Sequence, residues 1–196
     1  ARESADDARR LREHVVAHNL ALELGEEPPD PLDWLKTSGH VFEHALRFDD
    51  RLSMLGYTLR PVHRDGEVVE TLFKVLRPPG QDVRPSFHRL SRPIGEEGPE
   101  ASMPMNARVI SPEKKWKKGR LVLVRTYSGL NAWRDRVRYK VGFTRPQKRS
   151  DKAKGKKSKR VHLRVGKAKA AYIERFEWRG RSPVPLPLRW IPFVTP

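Results

Sequence analysis

The 196-residue sequence contains no cysteine. Disulfides, thiolate metal sites and cysteine nucleophiles are excluded together, and an intracellular, disulfide-free setting is the expectation. No apolar run approaches the roughly 18 residues that cross a bilayer as a helix, and no signal-like apolar core lies near the start. A soluble chain without a membrane partner is therefore expected. A phosphate-binding glycine loop, a Gly-x-Ser-x-Gly elbow and an RNP-type aromatic motif are all missing. A chain opening on Ala1 rather than methionine is expected where a terminus has been processed or cut. Acid is also scarce in one place: only 5 Asp/Glu lie beyond residue 106.

That scarcity turns a net charge of +17 into a segregated one. Residues 1–106 hold 14 Lys/Arg against 19 Asp/Glu, a net −5, whereas residues 107–196 hold 27 against 5, a net +22. A segregated excess of this size creates a field that collects anions, and nucleic acid is the leading partner. The acidic first half is expected to face protein neighbours.

The basic half is organised around Arg136 to Phe143 and Arg160 to Val165. Val137, Tyr139, Val141 and Phe143 alternate with Arg136, Arg138, Lys140 and Gly142, and Val161, Leu163 and Val165 alternate with Arg160, His162 and Arg164. This is the period of strands with one buried face. It predicts an antiparallel ribbon whose connection, 144–159, carries Arg145, Lys148, Arg149, Lys152, Lys154, Lys156, Lys157 and Lys159 against Asp151 alone. Lysines are point charges without planar, base-reading geometry, so the ribbon should anchor phosphates rather than read sequence.

Elsewhere, Ser4 to Asp7 has near capping-box spacing, Leu11, Val15, His18 and Leu22 recur at helical spacing, and Gly25 stops the run, predicting a helix over 5–24. Asp30-Pro31 opens a second helical pattern through Leu32, Leu35, Phe42 and Leu46 to Leu55. Asp65-Gly66 between apolar alternations predicts a β-hairpin. Six prolines between Pro78 and Pro104 predict a linker with little regular structure. Lys167 to Trp178 fits either a helix or a strand, with helix preferred. The expected fold class is α+β: N-terminal helices and a β-hairpin, then a basic, mainly antiparallel β part with a long lysine-rich loop. The expected divisions are 1–77 (helical plus hairpin, mildly acidic), 78–106 (Pro/Gly-rich linker), 107–181 (basic β part) and 182–196 (Pro-rich tail).

Candidate nucleic-acid contacts beyond the ribbon are Lys114, Lys115, Trp116, Lys117, Lys118, Arg125, Trp133 and Arg134. Among the interleaved aromatics Trp116, Tyr127, Trp133, Tyr139 and Tyr172, rings in polar surroundings suit base stacking. Tyr139, on an apolar face, suits the core. His14 with His18, and His40 with His44, are spaced four apart, as two zinc ligands on one helix face would be. His40-Val-Phe-Glu43-His44 resembles the His-x-x-Glu-His pattern of inverted zinc peptidases. Packing or surface histidines are the ordinary reading of both pairs. Glu67, Glu70 and Lys74, beside the hairpin turn, are the candidates for a magnesium- or manganese-dependent nuclease site. Trp116 to Gly129 is similar, over fourteen residues, to a stretch of the SRA domains that read modified DNA, without the glycine- and aspartate-rich signatures those domains carry upstream.

Two functional expectations follow. The first is a non-enzymatic nucleic-acid-binding protein needing no cofactor, RNA favoured over DNA, held in a larger nucleoprotein assembly that would order extended basic loops and proline-rich tails. The alternative is a metal-dependent nuclease or nucleic-acid-processing enzyme that uses the basic half as a clamp.

Overall fold

The structure, a computed structural model, describes residues 2–33, 40–62, 66–79, 83–93, 95–110, 116–129, 135–146 and 160–174. One helix, α1 (Arg2–Leu24), precedes ten strands: β1 (His40–Phe48), β2 (Leu52–Val62), β3 (Gly66–Val75), β4 (Arg84–Pro93), β5 (Ala101–Met105), β6 (Ala107–Val109), β7 (Leu121–Gly129), β8 (Asp135–Pro146), β9 (Arg160–His162) and β10 (Ala171–Glu174). The strands form two antiparallel sheets. The first runs β1-β2-β3-β7-β6, and the second runs β10-β8-β4-β5 with β9 also on β8.

A single core fills the space between the sheets. Phe48, Phe73, Val122 and Val124 of the first sheet meet Phe87, Tyr139, Val141, Phe143 and Ile173 of the second. Phe48, Phe73 and Phe143 stack edge-to-face with centroids 4.9–5.9 Å apart, an arrangement that matches ring edges to ring faces. Strand β3 is buried along nearly its whole length because α1 covers part of its far side, Leu11 and Val15 packing on Leu72, Leu121 and Leu123. Asn19 fixes the docking by bonding both backbone groups of Leu121, its Nδ2 donating to the carbonyl at 2.9 Å and its Oδ1 accepting from the N–H at 2.8 Å. The expected helix end holds: Gly25 takes φ 75°, the left-handed conformation that closes a helix and that glycine adopts without strain.

The α+β expectation is corrected to a mostly antiparallel β fold with one helix among the described residues. Over residues 40–55 of the expected second helix the chain forms β1 and the start of β2, joined through Asp49 and Asp50 at φ 47° and 50°, while residues 34–39 lie outside the described residues. The misreading has a physical origin: a spacing of four is even, so it aligns residues on one face of a strand as well as on a helix. Within the ambiguous stretch Lys167–Trp178, β10 occupies Ala171–Glu174 with Ala171 and Ile173 buried, and residues 175–178 lie outside the described residues.

The stretch expected to lack regular structure carries β4 and β5. Its prolines sit where a ladder tolerates them: Pro85 and Pro93 lie at the ends of β4, and Pro104 lies in β5, the last strand of its sheet. Among the described residues the expected ribbon pairs at Thr144↔His162, Arg145↔Val161 and Pro146↔Arg160, and the Leu163 N–H donates to the Phe143 carbonyl at 2.9 Å. Over 135–144 the partner of β8 is β4. The expected strand pairing forms as β2 and β3, with Val62 opposite Gly66 and Pro61 opposite Glu67. Gly66 lies in β3, and Asp65 with the rest of the connection lies outside the described residues. Strand β3, from the acidic half, pairs in turn with β7 of the basic half, so strand pairing crosses the change in charge.

Candidate nucleic-acid interface

In β8 the buried residues Val137, Tyr139, Val141 and Phe143 leave positions 136, 138, 140 and 144 on the opposite, outer face of the second sheet. Antiparallel register then assembles rows across that face. Lys140 lies between His88 of β4 and Tyr172 of β10, Arg138 between Leu90 and Glu174, Arg136 beside Arg92, and Thr144 between Arg84 and His162. Arg138 is engaged. Its Nε and Nη2 donate to Glu100 at 2.8 and 2.5 Å, and its guanidinium stands 5.2 Å from the Tyr172 ring centroid. Lys140 has no carboxylate partner among the described residues.

The electrostatic consequence falls on the histidines. Partial burial and then the charge of Lys140 hold His88 below its ordinary value of 6.5. His162 is lowered by burial, Lys140, Lys169 and His88, in that order. Both effects disfavour a further positive charge. His88 Nδ1 is 3.2 Å from Ser102 Oγ, while His162 Nδ1 is buried and meets no partner among the described residues. An anion on this face would offset Lys140 and Lys169 and so favour protonation of both imidazoles.

The residues expected to bind nucleic acid do not gather on one surface. Arg136, Arg138, Lys140 and Arg160 belong to β8 and β9 of the second sheet. Arg145 is half-buried on β8, and Arg164 is exposed beyond β9, its N–H donating to Asp49 Oδ1 at 3.0 Å. Lys117 and Lys118 are exposed ahead of β7, and the charge of Lys117 reaches Glu23 of α1. Trp116 is half-buried and packs edge-on against core Phe143, centroids 5.8 Å apart. Arg125 belongs to the first sheet, on β7. Lys114, Lys115, Trp133, Arg134, Lys148, Arg149, Lys152, Lys154, Lys156, Lys157 and Lys159 lie outside the described residues.

The carboxylates considered for a nuclease do not converge. Glu67 and Glu70 are three apart on β3 and face opposite sides of the sheet. Glu67 points into the core and accepts a hydrogen bond from the Tyr139 hydroxyl. Glu70 accepts from Arg60 Nη2 at 2.6 Å and Arg125 Nε at 2.7 Å. Lys74 shares Glu70's face but pairs with Leu121 at the far end of the strand. The α1 histidines turn to the chain that follows the helix. His14 Nε2 donates to the Asp30 carbonyl at 3.0 Å, and His18 Nδ1 to the Pro29 carbonyl at 2.8 Å. His40 and His44 lie on strand β1, not on a helix, and their side chains are outside the described residues. Among the described residues no group of three or more His, Asp or Glu could hold a metal ion.

Arg84, His88, His162 and Lys169 join this face without having been singled out in the sequence. Their alternation was visible in part, but their neighbours were not, because β4 precedes β8 by about fifty residues and no local signal names a strand's partner. Comparison with protein-family profiles, curated proteins and solved structures found no match. The fold therefore defines the class: two antiparallel sheets around a shared core with a helix docked on one of them. Among the described residues, no helix is long and apolar enough to cross a membrane.

Proposed function

We propose that the protein binds nucleic acid without catalysing a reaction, RNA favoured over DNA, and works as a component of a larger nucleoprotein assembly. The observation carrying this reading is the outer face of the second sheet, where Lys140 lies between His88 and Tyr172 with no carboxylate partner among the described residues and its charge presses on both His88 and His162. A cation without a carboxylate partner whose charge disfavours protonation of two neighbouring imidazoles is suited to an external anion. A phosphate backbone supplies anions at regular intervals, and lysine and arginine answer it with affinity rather than sequence choice. The +22 charge of residues 107–196 supports the same partner. Extended basic and proline-rich segments are of the kind that RNA-rich assemblies order.

The test is RNA binding by fluorescence anisotropy over a range of salt, alongside incubation with magnesium, manganese or chelator. Salt-sensitive binding without cleavage is expected. Lys140→Ala should weaken affinity evenly across sequences and make the log–log salt slope shallower by about one. A wild-type slope shallower than about −2 would remove the electrostatic basis of the proposal. Metal-dependent cleavage lost in Glu70→Ala would replace it with the nuclease reading.

A further inference from the structure

The outer face of the first sheet is covered by α1 over Leu72, Leu121 and Leu123. The same face continues past the helix along β2, β3, β7 and β6, where register sets Thr58, Glu70, Arg125 and Arg108 in one row. The next row holds Arg60, Val68 and Tyr127. Tyr127 is 56% exposed and is the one exposed aromatic ring among the described residues.

Its ring is laid against backbone. Gly66 and Gly129 are cross-strand partners, and a Cβ built on Gly66 would lie 2.8 Å from both Cε2 and Cζ of Tyr127, with the hydroxyl oxygen nearer still. A Cβ on Gly129 would lie 3.7 Å from Cε1. The two facing glycines therefore let the ring lie on the sheet. With its tip beside the glycine backbone, Tyr127 still leaves more than half of its surface to solvent.

Cations flank the ring. Glu70, 1% exposed, fixes Arg60 Nη2 at 2.6 Å and Arg125 Nη2 at 2.5 Å while accepting weakly from Thr58 Oγ1 at 3.4 Å. The two guanidinium groups are thus positioned with one negative charge between them. Arg108, opposite Arg125, is exposed and has no carboxylate among the described residues. The patch is cationic, which turns away cationic ligands, and its flat ring favours a ligand with a π-face. A nucleotide combines both properties.

We infer that Tyr127 is a stacking platform for an unpaired base of a single-stranded nucleic acid, with Arg60, Arg125 and Arg108 contacting the flanking phosphates. This rests on the nucleic-acid reading above and adds to it a preference for single strands, since bases within a duplex are stacked on each other and unavailable to a ring. Glu70 is a positioning residue in this arrangement.

Anisotropy titrations with a short oligouridylate, the matching oligodeoxythymidylate and a short RNA duplex test the inference in the full chain. Tyr127→Ala should weaken both single strands by about tenfold or more and the duplex by less than about twofold, with Tyr127→Phe close to wild type. Lys140→Ala, on the other sheet, should weaken all three. Single-strand binding unchanged in Tyr127→Ala overturns the platform and leaves the nucleic-acid reading intact, as does an equal loss for single strands and duplex. Failure of the wild type to bind any of the three at low salt overturns both. Photocrosslinking of a thiouridine-containing strand to the wild-type chain makes the test independent of how the variants fold. A crosslink on Tyr127 supports the platform, and crosslinks confined to the second sheet refute it.

Discussion

Glu70 is a carboxylate removed from water and answered by two guanidinium groups. Removing one side of such an arrangement leaves the other side short of partners, which for a fully buried pair costs about 3–5 kcal/mol. Here the Arg60 and Arg125 side chains retain 13% and 27% exposure, so water can recover part of the loss. Glu70→Ala should therefore destabilise the protein by about 2 kcal/mol in urea unfolding. A change below ~0.5 kcal/mol, the ordinary range for a surface substitution, would mean the clamp contributes nothing to folding. Parity along β3 was legible in the sequence: an even spacing puts Glu70 and Lys74 on one side, and an odd one separates Glu67 from Glu70. The arginines were not legible, since Arg60 and Arg125 arrive from strands on either side.

Helix α1 is attached to the first sheet by a short set of contacts. Leu11 and Val15 supply the apolar part. The polar part is Asn19 with the backbone of Leu121, together with the Glu23–Arg120 ion pair, which holds the Glu23 carboxyl below its ordinary value. Asn19→Ala leaves a buried N–H and a buried carbonyl without the side chain that pairs them, and the loss falls on the docking of α1 rather than on the sheets. Hydrogen exchange should accelerate by about tenfold or more across Leu11–Leu24 while β3, β7 and β8 keep their protection. Equal acceleration in helix and strands would show that helix and sheets unfold together. The helix itself was readable from spacing, cap and Gly25. Its seat was not, because Asn19 contacts a strand 102 residues away.

At the scale of the whole molecule, an anion bound on the second sheet's outer face would be coupled to pH. His88 and His162 are held below 6.5, first by burial and then by Lys140. The unfolded chain therefore takes up these protons first, and the contribution of the two histidines to stability is full above 6.5 and declines as pH falls through that value toward the lowered ones. A bound phosphate reverses the bias, because it offsets Lys140 and favours the imidazolium. Binding should take up protons, and RNA affinity should rise as pH falls from about 7.5 to about 5.5. Replacing both histidines with asparagine should flatten the profile. An affinity independent of pH in the wild type would place the anion away from this face.

The sequence by itself determined the charge segregation, the alternation of Val137, Tyr139, Val141 and Phe143, the helix ending at Gly25 and the pairing of neighbouring strands β2 and β3, because each is written in local composition or spacing. Tertiary structure alone decided that β3 lies beside β7, that β4 lies between β8 and β5, and that Tyr127 rests on two glycines from different strands. The reason is that strands pair through backbone N–H and C=O groups common to every residue. A sequence can state that a segment is extended and which face it buries, but its partner is chosen by the packing of the shared core, among residues far apart along the chain.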